Sequence, residues 1–188
     1  KAEDGGYFSL KPGAQFDKLS RVPDRFGGNA DLSAYPARRG YEDLVMIVHD
    51  PAHELAWNAA SFPKQRYVWF SVKHTGALPS TVLWHSNAGR HYAPWNGRHH
   101  SVLGIEDVCA YFHYGLAESV KPNPVSKLGH DTSKKFTPRT ATRIPYAFGC
   151  VPTPRGFDRV RSIKPTADGT LTLTSASGKK TTIPFDHD

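Results

Sequence analysis

The sequence predicts a mainly β protein, built as an antiparallel β-sandwich. Fifteen Pro and sixteen Gly interrupt the chain, so almost no window keeps the apolar spacing at i, i+3, i+4 and i+7 that marks a helix. Short segments rich in β-branched and aromatic residues recur instead, each bounded by turn-forming residues. With 38% hydrophobic residues, a chain of this length buries a sizeable core, and we expect one domain spanning residues 1–188.

Five internal strands follow from this pattern. They are predicted at Leu44–His49, Glu54–Ala59, Tyr67–Lys73, Thr81–Ser86 and Val108–Tyr114. A brief helix is expected from Gly115 to Val120, because the following Pro122 disfavours its continuation.

A hairpin is predicted near the carboxyl end of the chain. Polar and apolar residues alternate from Thr170 to Thr174 and again from Lys180 to Phe185. This alternation is typical of strands with one face in water. The turn-forming residues Ser175–Lys179 join the two strands.

The net charge of +7 is concentrated in one segment. Between Lys121 and Lys164, ten Lys or Arg face only Asp131 and Asp158. Pro, Gly and Thr interrupt this segment, so it does not form a basic amphipathic helix. We expect a solvated basic face and no nucleic-acid partner. The alternative, a nucleic-acid site, predicts an affinity that falls steeply with salt.

The cysteines and the hydropathy pattern indicate the cellular compartment. Only Cys109 and Cys150 are present, without the spacing of a zinc or redox site. We expect buried free thiols and a reducing, cytoplasmic location. No apolar run approaches the roughly 20 residues of a membrane-spanning helix, so no membrane association is expected.

One segment, Trp84–His100, concentrates aromatic and hydrogen-bonding side chains. Sugars present apolar faces and a ring of hydroxyls, so a carbohydrate site combines aromatic surfaces with planar polar groups. The candidate substrate-binding residues here are Trp84, Arg90, His91, Trp95, Asn96 and Arg98. The alternative is that the tryptophans pack in the core and the histidines lie on the surface.

Glu106 follows this segment and interrupts the apolar run Leu103–Cys109. A carboxylate in such a run requires a partner or a function. It is either the buried end of a structural ion pair with Arg90 or Arg98, or a catalytic general base whose pKa burial adjusts.

Two other kinds of site are disfavoured by spacing. Five histidines cluster at positions 85, 91, 99, 100 and 113, yet no His-x-His pair places two imidazoles on one face of a strand. No metal site is therefore predicted. No Gly-x-Ser-x-Gly sequence marks a serine hydrolase.

Four segments carry a resemblance to a known family. Tyr67–Lys73, Leu78–Trp84, Asn87–Arg98 and Leu103–Cys109 resemble the aldose 1-epimerase (galactose mutarotase-like) superfamily. The resemblance extends from about Phe8 to Ile163. Its most specific part runs from Gly-Arg-His at residues 89–91 to Leu-Gly-Ile-Glu-Asp at residues 103–107.

The resemblance implies the carboxyl-terminal part of an antiparallel β-supersandwich that binds sugars in an open cleft. It implies anomer interconversion by a base and an acid, with no cofactor and no metal. Glu106 matches the catalytic Glu of the family. Glu42 or Asp43, which precede an apolar strand, match its substrate-binding Asp.

The chain also departs from the family. The acid His of the family lies before that Asp, whereas no His precedes His49 here. Family members are also longer. We therefore expect that the remainder of the fold is missing or comes from a second chain, or that the protein binds sugar without epimerising it. His91 and His85 are candidates for a replacement acid. The expected ligand is a monosaccharide or a sugar phosphate.

Overall fold

The structure, a computed structural model, describes residues 6–185 and is mainly β with antiparallel sheets, as predicted. The predicted domain of residues 1–188 extends beyond the described residues at both ends. The chain forms two compact units. Within the described range, the first unit contains residues 6–48 and 80–133, and the second contains residues 49–79 and 134–185.

The described residues contain eleven strands and two short helical segments. The strands are β1 (Val22–Pro23), β2 (Asn29–Ala30), β3 (Tyr41–Val48), β4 (Leu55–Phe62), β5 (Tyr67–His74), β6 (Ser80–Asn87), β7 (Val102–Val108), β8 (Tyr146–Pro152), β9 (Val160–Thr166), β10 (Thr170–Ser175) and β11 (Lys180–Pro184). The helix α1 spans Leu116–Val120, and a 3-10 turn spans Ser126–Leu128.

The first unit is organised around a three-stranded antiparallel sheet in the order β3-β6-β7. Every residue of β3 pairs with β6, so β6 is fixed from both sides. One face of this sheet packs Val45 and Leu83 against an apolar core that also contains Leu10, Val22 and Leu32. The opposite face carries Trp84.

The second unit contains two three-stranded antiparallel sheets, in the orders β4-β5-β8 and β11-β10-β9. A shared core joins them and is formed by Val68, Phe70, Val72, Val151, Phe157, Ile163, Leu171 and Leu173. The predicted hairpin is confirmed as β10 and β11. Leu171 and Leu173 are fully buried, as the alternation of the sequence requires.

The predicted strand Val108–Tyr114 is wrong. β7 ends at Val108, and residues 109–114 form bends and a turn. Phe112 adopts a left-handed φ of 50°, which ends an extended strand. The ring of Tyr111 packs against those of Phe112 and Tyr114. The helix predicted to end before Pro122 is confirmed as α1.

Neither cysteine forms a disulfide, as predicted, but neither thiol is buried. Cys109 is half-buried and Cys150 is exposed. Across residues 6–185, no helix is long and apolar enough to cross a membrane.

Candidate functional site

The register of the β3-β6-β7 sheet determines which predicted site residues share a face. The relevant pairs are Glu42 with Ser86, Leu44 with Trp84, Trp84 with Gly104, and Val82 with Glu106. Directly opposed residues point to the same side of a sheet, and so do alternate residues of one strand. Glu42, Trp84 and Glu106 therefore lie on one face, which we call the Trp84 face.

Arg90 is the best-anchored cation of the Trp84 face. Its Nε donates to Oε2 of Glu42 over 2.6 Å, and Glu42 is fully buried. Its guanidinium carbon lies 4.8 Å from the ring centroid of Trp84 and 4.9 Å from that of Trp95. Arg90 is thus ion-paired and in cation–π contact with two indoles.

Gly89 explains how Arg90 comes so close to β3. A Cβ at Gly89 would lie 2.2 Å from the backbone nitrogen of Glu42 and 2.3 Å from the carbonyl carbon of Tyr41. Tyr7 links the two segments, since its N–H donates to the Gly89 carbonyl and its carbonyl accepts from the Glu42 N–H. Only glycine fits this approach of two backbones.

The loop after Gly89 presents Trp95 beside Arg90. Asn96 has a left-handed φ of 48° at the turn, and the N–H of Gly97 donates to the Arg90 carbonyl. Arg98 donates to the carbonyl of Pro94 over 2.9 Å. This hydrogen bond stabilises the loop. Arg98 and Asn96 are both exposed, so both remain accessible to a ligand.

His99 joins the aromatic group, although it was not among the predicted site residues. Its ring stacks on Trp84 with 5.2 Å between centroids and meets Trp95 edge-on at 5.1 Å. Its Nδ1 lies 2.6 Å from Oγ of Ser86. Its place inside the segment Trp84–His100 was the available signal, but spacing alone does not identify which histidine turns inward.

Glu106 is exposed on β7, an edge strand of the sheet. Its Oε1 lies 3.1 Å from the point that a Cβ on Gly104 would occupy, and Cβ and Cε3 of Trp84 lie 3.2 Å and 3.3 Å from the same point. The carboxylate of Glu106 and the indole of Trp84 therefore both lie close over Gly104, where a side chain would be crowded.

Two expectations for Glu106 are wrong. The side chain is exposed and not buried, and Arg90 pairs with Glu42 instead. The reason is topological, because β7 lies at the sheet edge whereas Glu42 lies on β3 directly beneath the Arg90 loop.

Asp43 lies on the opposite face of the sheet from Glu42. Its carboxylate accepts hydrogen bonds from the backbone N–H groups of Ser9 and Leu10, over 2.9 Å and 3.0 Å. It also forms an ion pair with Arg38 at 2.7 Å. Asp43 thus fastens the amino-terminal segment to the sheet, and Glu42 is the acidic residue that faces Trp84.

His85 also lies on the opposite face, where it pairs with Asp43 in the register. It is buried, and its ring contacts Tyr35 edge-on. Burial, with a smaller contribution from the charge of Arg38, lowers the pKa of His85 from 6.5 to about 4. Burial also raises the pKa of Tyr35. His85 is therefore neutral at pH 7 and turned away from Trp84.

Two buried polar atoms of the Trp84 face have no hydrogen-bond partner within residues 6–185. They are Oε1 of Glu42, an acceptor, and Nε1 of Trp84, a donor. Buried groups of this kind destabilise a fold unless something satisfies them.

The structure thus brings together five predicted site residues: Glu42, Trp84, Arg90, Trp95 and Glu106. His91 is exposed and contacts the ring of Tyr7 edge-on at 4.5 Å. Ser86, His99 and Gly104 belong to the same face but were not assigned from the sequence. In the described part of the chain, no group of three His, Cys, Asp or Glu side chains converges as metal ligands do.

Comparison with protein-family models, with curated proteins and with solved structures gave no match to this chain.

Proposed function

We propose that the Trp84 face binds a monosaccharide or a sugar phosphate and interconverts its anomers, with Glu106 as the general base. The observation that carries this proposal is the exposed Glu106 carboxylate, which lies over Gly104 beside the half-buried indole of Trp84. An indole suits the apolar face of a sugar ring, and a carboxylate within reach of the anomeric hydroxyl takes its proton.

The reaction consists of proton transfers and one reversible bond cleavage. Glu106 removes the proton of the anomeric hydroxyl, the C1–O1 bond becomes a carbonyl, and the bond from C1 to the ring oxygen breaks. The ring oxygen takes a proton. Rotation about the C1–C2 bond and closure onto the other carbonyl face give the second anomer. No metal or cofactor is required, since an acid and a base suffice.

His99 is the histidine best placed to be the acid. His85 faces the other side of the sheet, and His91 contacts Tyr7. His99 stacks on Trp84, and Ser86 engages its Nδ1. As an imidazolium, His99 donates its Nδ1–H to Oγ of Ser86, and its Nε2–H supplies the proton that passes to the ring oxygen of the sugar.

A further part of the fold is proposed to complete the site. β3 and β7 are the edge strands of the described sheet, and edge strands readily pair with additional strands. A segment beside β7 would form a wall next to Glu106. The resemblance to the aldose 1-epimerase superfamily implies such a segment, from a longer chain or a second one. We also propose a cytoplasmic location, because neither cysteine forms a disulfide.

Non-catalytic carbohydrate binding is the second candidate. Its support is that several polar groups of the face already have protein partners: Arg90 pairs with Glu42, Arg98 with a loop carbonyl, and His99 with Ser86. A site of this kind holds a sugar through its aromatic surface and moves no proton.

Two measurements on one sample separate these candidates. Saturation-transfer-difference NMR detects binding of glucose, galactose and their 6-phosphates, and exchange NMR measures interconversion of their anomers. Binding with exchange faster than in buffer supports the isomerase. Binding without faster exchange supports the second candidate, and no binding of any aldose or aldose phosphate rejects both.

A further inference from the structure

The second unit carries the entire net charge of the chain. Its sequence ranges, residues 49–79 and 134–188, contain thirteen Lys and Arg against six Asp and Glu. The first unit contains eleven of each and is neutral. A partner that is attracted by net positive charge is therefore attracted mainly to the second unit.

Strand β8 lies at an edge of the β4-β5-β8 sheet. It pairs with β5 through seven residue pairs, from Tyr67–Pro152 to Lys73–Tyr146, without a register shift. In the described part of the chain, no strand pairs with its other side. An edge strand offers unpaired backbone N–H and C=O groups to an added strand.

Apart from its last residue, Pro152, whose carbonyl accepts a hydrogen bond from Oγ1 of Thr181 over 3.1 Å, the β8 edge lacks the features that usually block strand addition. Lys, Arg and Pro within an edge strand, or a register shift beside it, prevent pairing. β9 has Arg161, Lys164 and Pro165 and a register shift against β10, and β11 has Lys180 and Pro184. β8 has no charged residue, and its single proline is the last residue.

Two exposed aromatic side chains mark one face of β8. Phe148 is 67% exposed and Tyr146 is 41% exposed. Their rings lie 5.7 Å apart between centroids. Alternate residues of an added strand would place their side chains against these rings.

We propose that β8 binds an extended acidic segment of another protein as an additional antiparallel strand. Backbone hydrogen bonds and the Tyr146–Phe148 surface supply the contact. The net charge of +7 on the second unit, together with the exposed Arg155 that follows β8 in the sequence, favours acidic side chains. A second copy of this chain is disfavoured, because pairing β8 with itself would bring together two units of net charge +7.

The test uses two labelled peptides of about ten residues, one alternating Glu with Val and one alternating Lys with Val, in fluorescence anisotropy with the full chain. The Glu peptide is expected to bind, and more weakly at high salt. Phe148→Asp removes the ring and repels the Glu peptide, so it should weaken binding by about tenfold or more. Phe136→Asp is the matched control, since Phe136 is 62% exposed and lies outside the sheets; it should change affinity by less than about twofold.

Several outcomes would overturn the proposal. Equal binding of the two peptides, no binding of the Glu peptide, or equal effects of the two substitutions would each reject it. Dimerisation that Phe148→Asp abolishes would assign β8 to a second copy. An oligothymidylate that displaces the Glu peptide would assign the surface to nucleic acid. Melting curves of both variants check that neither substitution unfolds the chain.

Discussion

Nε of Arg90 donates to Oε2 of Glu42 over 2.6 Å, and both side chains are buried or nearly so. The same guanidinium lies against Trp84 and Trp95. The ion pair between Arg90 and Glu42 of strand β3 therefore holds the loop that carries Trp95 on the sheet. Glu42 and Arg90 form the buried part of the Trp84 face, whereas Glu106 is exposed and Trp84 is half-buried.

Arg90→Ala should destabilise the protein by about 3–5 kcal/mol, because it leaves the Glu42 carboxylate buried without its counter-charge. Urea unfolding measures the loss. The matched control is Lys121→Ala, which breaks the exposed pair of Lys121 with Glu118 at 2.9 Å and should cost about 1 kcal/mol or less. Similar losses in the two variants would contradict a structural role for the buried pair.

Gly89→Ala tests the close approach of the Arg90 segment to β3. The added methyl group would lie 2.2 Å from a backbone nitrogen, and backbone on both sides prevents relaxation. We expect a loss of at least about 3 kcal/mol in the free energy of unfolding. Gly76→Ala is the control, since nothing lies within 4 Å of its Cβ position. A Gly89→Ala protein as stable as Gly76→Ala would show that the two segments do not meet.

Gly104→Ala tests the placement of Glu106 beside Trp84. Its Cβ would lie 3.1 Å from Oε1 of Glu106 and 3.2 Å from Cβ of Trp84, so the methyl group would displace the exposed carboxylate. We expect sugar affinity to fall about tenfold, or 1.4 kcal/mol, with a change in stability of about 1 kcal/mol or less. Titration followed by NMR measures the affinity, and an unchanged dissociation constant would place the sugar elsewhere.

His85 should make stability depend on pH. In the unfolded chain its pKa is about 6.5, whereas in the folded protein it is about 4. Between these values the unfolded state binds more protons, so stability falls as the pH decreases through this window, by at most about 1.4 kcal/mol per pH unit. Above it, His85 contributes no slope.

Urea unfolding at several pH values between about 4 and 7 measures this dependence. His85→Gln should remove the contribution, whereas the exposed His91→Gln should retain it. The same slope in the wild type and in His85→Gln would show that His85 is not the group responsible.

The strands with strong alternation or dense β-branched residues could be predicted from the sequence, and β8 and β9 could not. β9 contains Arg161, Lys164 and Pro165, which lower the β signal but suit an edge strand. In β8, Gly149 interrupts the run of apolar residues. For residues 109–114 a strand was predicted that the protein does not form. Their aromatic residues favour a strand, whereas Phe112 adopts a left-handed conformation in a turn.

The site was predicted in composition but not in geometry. Aromatic and polar residues concentrated between Trp84 and His100 indicated where it lies. The sequence did not determine whether Glu42 or Asp43 faces it, since adjacent residues differ only in sheet face, and the pairing of β3 with β6 decides between them. The exposure of Glu106 depends on β7 being an edge strand, which is a property of the topology.

Anomer exchange in Glu106→Gln, measured by NMR beside the wild type and Asp107→Asn, tests the central claim most directly. Asp107 is the adjacent carboxylate on the other face of β7 and accepts a hydrogen bond from the hydroxyl of Thr81. We predict that the wild type accelerates exchange of at least one aldose or aldose phosphate, that Glu106→Gln loses about 100-fold or more of this acceleration, and that Asp107→Asn keeps it. Equal rates in the wild type and Glu106→Gln would contradict the assignment of Glu106 as the base.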